Sequence, residues 1–172
     1  KINLFLSDNF LDIYENSYDI VLRISQDLDN VDRLLFKTYQ RYFYATKTYL
    51  DEHGEPKCIE ELKNHSLLLY SQPEKNSKIV LTNNKTVETL YCTPKIICNS
   101  GNFLLNFCKL NQGIIFLPDF IAADDEKNGN LVKCLEDYSS PNLYFYAITS
   151  GKQKDSKKIQ FFLNYLKVQD RK

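Results

Sequence analysis

The chain is 172 residues long, enough for one ordinary domain or two small lobes sharing a core. Its hydrophobic share of 43% and aromatic share of 13% belong to a globular fold and exclude a disordered or collagen-like chain. With 22 Lys+Arg against 22 Asp+Glu the formal net charge is zero, so the basic excess of a DNA-gripping domain is missing and the chain alone is expected to bind nucleic acid poorly.

In chain order, residues 1–7 alternate apolar and polar (Ile2, Leu4, Leu6) and read as a short strand, unlike a secretory signal. The absence of an initial Met suggests a piece of something longer. Ser7 and Asp8 suit the start of a helix carried by Phe10, Leu11, Ile13 and Tyr14. Residues 18–24 read as a buried strand, 26–33 as a loop, and 34–46 as one long or broken strand rich in Phe, Tyr and Thr. A short helix over 48–53 ends at Gly54, and another spans 59–63. Residues 67–70 form a buried strand, and 79–81 with 86–91 a hairpin turning at Asn83-Asn84. After a strand at 96–98, Asn99-Ser100-Gly101 opens a helix marked by Phe103, Phe107 and Leu110, with Asn111 left-handed at its end. A strand over 113–117 is closed by Pro118. A helix over 119–128 ends at Gly129, a strand follows at 143–149 and a loop at 151–155, and Ile159, Phe162, Leu163 and Leu166 mark a final amphipathic helix. Strands alternating with helices predict an α/β fold with a mostly parallel sheet.

The five cysteines, Cys58, Cys92, Cys98, Cys108 and Cys134, have no repeating spacing and are expected as reduced, mostly buried cytosolic thiols. No stretch is long enough to span a membrane. His53 and His65 lie at no metal-ligand spacing from a cysteine, and no CxxC pair occurs. Ser100 lacks the glycines of a nucleophile elbow, and there is no P-loop or dinucleotide glycine pattern. Asp124-Asp125-Glu126 reads as a solvated helix start. The residues therefore imply no enzyme, no metal and no cofactor.

Several segments, in order along the chain, resemble the effector-binding domain of LysR-type transcriptional regulators, in particular the CrgA-like subgroup. They are Ser7-Asp8 followed by Tyr18-Asp19-Ile20-Val21-Leu22-Arg23-Ile24, Ala45-Thr46 with Tyr49-Leu50, His53-Gly54 and Pro56, and Leu68-Leu69-Tyr70-Ser71. The block from Gly113 through Pro118 to Phe120, then Ala123-Asp124-Asp125 and the stretch from Gly129 to Leu135, completes the series. Ser17 and Ser25 stand where the family has glycines, and Thr46-Lys47 where it has Ser-Pro. The resemblance implies a type 2 periplasmic-binding-protein-like fold of two lobes joined by two crossing strands. Lobe one would comprise about residues 1–40 and 145–172, and lobe two about 41–144. The crossings would be 35–46 and 143–149. The family's first strand and helix, its linker helix and its DNA-binding helix-turn-helix would lie upstream of Lys1. The strands at Ile2 and Ile20 are then expected to pair directly unless another segment fills the gap.

In open α/β sheets ligands bind beyond the carboxyl ends of the strands. Four such ends, Ser7, Ile24-Ser25, Thr46 and Asn99-Ser100-Gly101, are expected to converge on a cleft that takes a small effector such as an organic acid. Ser71 lines one side, and Phe116 and Pro118 supply an apolar wall. Ser7, Asn99 and Ser100 read equally as plain helix caps. Arg23 either reaches a ligand carboxylate or pairs with a neighbouring acid. Valine at Thr46 or Ser100 is expected to weaken effector binding and spare the fold. The resemblance further implies a homodimer, a higher oligomer in the full-length protein, and DNA contact only through the upstream domain. A transporter's solute-binding protein is the alternative on the same fold.

Overall fold

The computed structural model describes residues 2–7, 18–26, 33–71, 78–83, 86–149 and 156–169. The expected helix over 8–16 and the loop at 151–155 lie outside them. The chain divides into two compact units, Lys1–Thr38 with Asn142–Lys172, and Tyr39–Pro141.

The first unit is built on β1 (Ile20–Ser25), β2 (Arg33–Tyr39) and β10 (Leu143–Thr149), in the order β1-β10-β2. β1 and β10 run antiparallel, from Ile20 opposite Thr149 to Ser25 opposite Tyr144. Helix α4 (Lys157–Gln169) lays Ile159 and Leu163 on Ala147, with Ile20, Leu34 and Phe36 at the margin. Val21, Tyr146 and Ile148 fill the opposite face. β1 is half-exposed rather than buried, with Leu22 and Ile24 facing out. Of the expected strand over residues 1–7, the described residues 2–7 form no strand. Residues 2–7 are irregular and exposed, Leu6 to 82%, and β1 takes its hydrogen bonds from β10 instead.

The second unit is a three-layer sandwich. Its sheet has the order β7-β4-β8-β3-β9, from β3 (Arg41–Ala45), β4 (Leu67–Tyr70), β7 (Ile96–Cys98), β8 (Ile114–Pro118) and β9 (Val132–Cys134). The sequence Leu-Leu-Leu and Ile-Ile-Phe-Leu-Pro of β4 and β8 is apolar throughout because both faces are covered. On one face α1 (Lys47–His53), a 3-10 helix (Ile59–Asn64) and the hairpin of β5 (Lys78–Thr82) and β6 (Val87–Tyr91) bury Tyr49, Ile59, Leu62, Leu81 and Leu90 against Phe43, Leu69 and Phe116. On the other, α2 (Gly101–Lys109) and α3 (Asp119–Lys127) bury Leu104, Cys108 and Ala122 against Tyr44, Leu68, Ile115 and Leu117.

Three expectations need correction. The sheet is mixed, not mostly parallel: β4 runs parallel to β7 and β8, but β3 is antiparallel to both β8 and β9. The strand β9 was not anticipated, since its Val-Lys-Cys is too short to show a period. In α2 the expected stripe is not the buried one: Phe103 is 47% and Leu110 66% exposed and Phe107 packs only at the margin, while Leu104 and Cys108 face the sheet. Both stripes have helical spacing, and close approach selects the small one. The Cys108 thiol sits 3.3 Å from the Gly113 carbonyl, and a Cβ on Gly101 would stand 2.9 Å from Ile121 Cδ1. A phenyl ring has no room on that face.

Candidate functional site

The parallel run of β4, β7 and β8 brings their carboxyl ends to one edge of the five-stranded sheet. Tyr70 lies opposite Cys98 in the β4–β7 ladder, and the Ser71 amide continues it by donating to the Cys98 carbonyl at 2.9 Å. Leu69 is level with Phe116, so Ser71 stands level with Pro118, two residues on. Directly after β7 come Asn99, Ser100 and Gly101, the start of α2. Ser71, Asn99, Ser100 and Gly101 are thus brought together on one rim, beside Pro118, which is itself buried.

Ser100 caps α2: its hydroxyl accepts from the Phe103 amide at 3.3 Å, and the side chain remains exposed. The first-turn amides of such a helix favour an anion beside them. The side chains of Ser71 and Asn99 hold no hydrogen bond among the described residues, and both reach solvent.

Two expected site residues of the second unit stand away from this rim. Thr46 follows β3, which is antiparallel to β8, so it lies at the opposite edge, ~16 Å along the strand from Arg41. There its hydroxyl donates to Asn111 Oδ1 at 2.6 Å and accepts from the Tyr49 amide at 3.2 Å, capping α1 while 8% exposed. The direction of a strand is not written in its own residues, so the carboxyl-end rule alone cannot tell the edge that Thr46 occupies. Phe116 lies in the core, its ring 4.5 Å from that of Phe43, and offers little surface to a ligand. Ser7, Ile24 and Ser25 belong to the first unit. Ser7 lies on the exposed irregular segment, while Ile24 and Ser25 end β1 opposite Phe145 and Tyr144.

The antiparallel turn of β3 places at the rim a residue that went unnoticed, Arg41, opposite Pro118. Its backbone is fixed on both sides by Ser140, whose hydroxyl accepts from the Arg41 amide and whose amide donates to the Arg41 carbonyl, each at 2.9 Å. Gln40 is held by Ser139 Oγ at 3.0 Å and the Ser140 carbonyl at 3.1 Å. Burial pushes the guanidinium pKa below its ordinary value, and the neighbouring Tyr70 opposes that shift. A charged residue opening an apolar strand was the available signal in the sequence.

Several other titratable groups are paired or buried within the unit. Asp125 accepts from Asn130 at 2.8 Å and pairs with Lys109 at 2.8 Å, and Glu126 pairs with Lys133 at 3.0 Å. Asp124, Asp125 and Glu126 thus lie in the last half of α3, not at its start. Cys92, Cys108 and Cys134 are buried, Cys58 and Cys98 partly so, and all are free thiols. Burial pushes Cys108 and Cys134 up to about 12, where they are unreactive. A concavity of about 370 Å³ opens at the amino end of β4, lined by residues including Leu62, Lys63, His65 and Tyr91. None of the expected site residues lines it.

The family model for the LysR substrate binding domain matches residues 1–170. An "Uncharacterized HTH-type transcriptional regulator" of Haemophilus influenzae is 29% identical over 86% of this chain and 51% of its own. The HTH-type transcriptional regulator CrgA of Neisseria meningitidis serogroup B is 28% identical over 96% of this chain and 56% of its own. The solved CrgA regulatory domain, from a LysR-type transcriptional regulator, superposes with a TM-score of 0.81 at 26% identity, covering 95% of this chain and 80% of that one. The chain spans about half the length of the curated relatives it matches. The shared fold is the two-lobe, type 2 periplasmic-binding-protein-like class anticipated from the sequence.

Proposed function

We propose that this chain, which belongs to the LysR substrate-binding domain family, senses a small polar or aromatic acid on behalf of a cytoplasmic bacterial transcription regulator and catalyses nothing. The effector binds at the rim formed by Ser71, Asn99, Ser100 and Gly101, with the buried Pro118 beneath it. Its binding shifts the balance between conformations of a homodimer, and the DNA-binding part of the full-length protein reads that shift. The observation carrying this reading is the convergence of three strand ends and a capped helix start on one edge, within a domain of this family.

Two measurements test it. A helix-turn-helix encoded upstream of Lys1 is the expected genetic context, and a secretion signal there overturns the regulator reading. A small-acid screen by thermal melting is expected to find a stabilising compound whose effect weakens in Ser71→Ala or Ser100→Ala. Equal stabilisation of both variants and the parent overturns the rim assignment.

A further inference from the structure

We propose that Arg41 is the anion anchor of this rim and that the effector it holds carries a carboxylate. The inference rests on the effector-sensing reading and adds a residue and a ligand group to it.

Position comes first. Arg41 opens β3 opposite Pro118, and Ser71 is level with Pro118 one strand further. Side chains alternate along strands, and Phe43 and Ala45 share a face with Leu69 and Phe116. Arg41, Pro118 and Ser71 continue that face, side by side at a spacing of about 5 Å per strand. Ser140 holds the Arg41 backbone and Gln40 in turn holds Ser140, so the side chain projects from a rigid base.

The second argument is electrostatic. The other partly buried cation among the described residues of this unit, Lys133, is paired with Glu126, and even the exposed Lys109 is paired with Asp125. The half-buried Arg41 guanidinium has no hydrogen bond or ion pair among the described residues. Asp119, next after Pro118, accepts instead from the Phe120 amide at 2.9 Å. A desolvated charge without a partner is unfavourable, and a ligand that supplies the counter-charge relieves it. The planar fork of arginine matches a carboxylate in two parallel hydrogen bonds. Ser71, Asn99 and the first amides of α2 remain for the rest of the ligand.

The test compares thermal melting of the 172-residue chain with Arg41→Gln and Arg41→Lys, using benzoate and succinate as probes and benzamide and succinamide as neutral twins. Carboxylates are expected to stabilise the parent and the neutral twins not. Arg41→Gln weakens carboxylate affinity about tenfold or more, and Arg41→Lys retains part of it. Without ligand, Arg41→Gln melts no lower than the parent, because no native partner is lost. Unchanged carboxylate affinity in Arg41→Gln, or a clear loss of its ligand-free stability, overturns the proposal. Stabilisation by the neutral twins alone overturns it while leaving the effector-sensing reading in place. A parent chain that responds to neither class overturns both.

Discussion

At the end of the five-stranded sheet where β3 leaves and β8 enters, Thr46 is bonded to Asn111 and Tyr49, the Tyr49 hydroxyl to Ser66 and His65, and the Cys108 thiol to the Gly113 carbonyl. At the other end, where β4, β7 and β8 leave, the Ser71, Asn99 and Arg41 side chains hold no partner among the described residues. The difference is that one edge is closed by its own side chains, which contributes stability, whereas the other leaves donors for something else. Substitutions at the closed edge should therefore be read in unfolding, and those at the open edge in ligand binding.

The largest effect is expected from Gly113→Ala. Gly113 has φ +153°, and a Cβ there would stand 2.1 Å from the Ser66 carbonyl oxygen, which accepts from the Ile114 amide. A loss of at least ~3 kcal/mol in denaturant unfolding, or failure to fold, is expected. Near-parental stability would show that this edge has slack.

Thr46→Val removes the α1 cap and the bond to Asn111, for an expected loss of about 2 kcal/mol with effector affinity unchanged. This reverses the expectation drawn from the sequence, and weakened affinity with intact stability would restore Thr46 to the site. Ser100→Ala should show the opposite balance. Its cap bond is exposed and long at 3.3 Å, so about 0.5–1 kcal/mol of stability is lost, while effector affinity falls.

The smallest effects concern pH. Burial, reinforced by His53 and opposed by Glu61, holds the His65 pKa below 6.5. The unfolded chain therefore takes up the proton first, so the stability from His65 is complete above 6.5 and is lost as pH falls through the folded value. Hydrogen bonds from Lys109 and Asn130 hold Asp125 below 3.8, so its contribution is complete above 3.8 and disappears as pH falls further. Melting temperature should decline in two shallow steps on acidification, the first missing in His65→Gln and the second in Asp125→Asn. Identical profiles in parent and variants would remove these groups from the closed edge's account.

Much of the local structure was legible. The helix ending at Gly54, the left-handed Asn111, the Gly129 stop and the strand over Leu143–Thr149 all follow from capping and periodicity, and the long Phe/Tyr/Thr segment breaks at Gln40 as one of its two readings allowed. The candidate site was legible only in part. Ser71, Asn99, Ser100, Gly101 and Pro118 stand at ends of mutually parallel strands, so the carboxyl-end rule located them together. Thr46 broke the rule because β3 runs the other way, and Arg41, at the amino end of β3, escaped for the same reason.

What the sequence by itself determined is local and compositional: where chain elements begin and stop, that the domain lacks a basic DNA-binding excess, and, through ordered motifs, the family to which it belongs. Tertiary structure alone decided strand direction, the face that α2 presents to the sheet, and which polar side chains are left without partners. These depend on contacts between residues far apart in the chain. Hydrogen bonding across a ladder sets direction, packing volume sets helix phase, and the supply of neighbouring acids determines whether a cation such as Arg41 is paired.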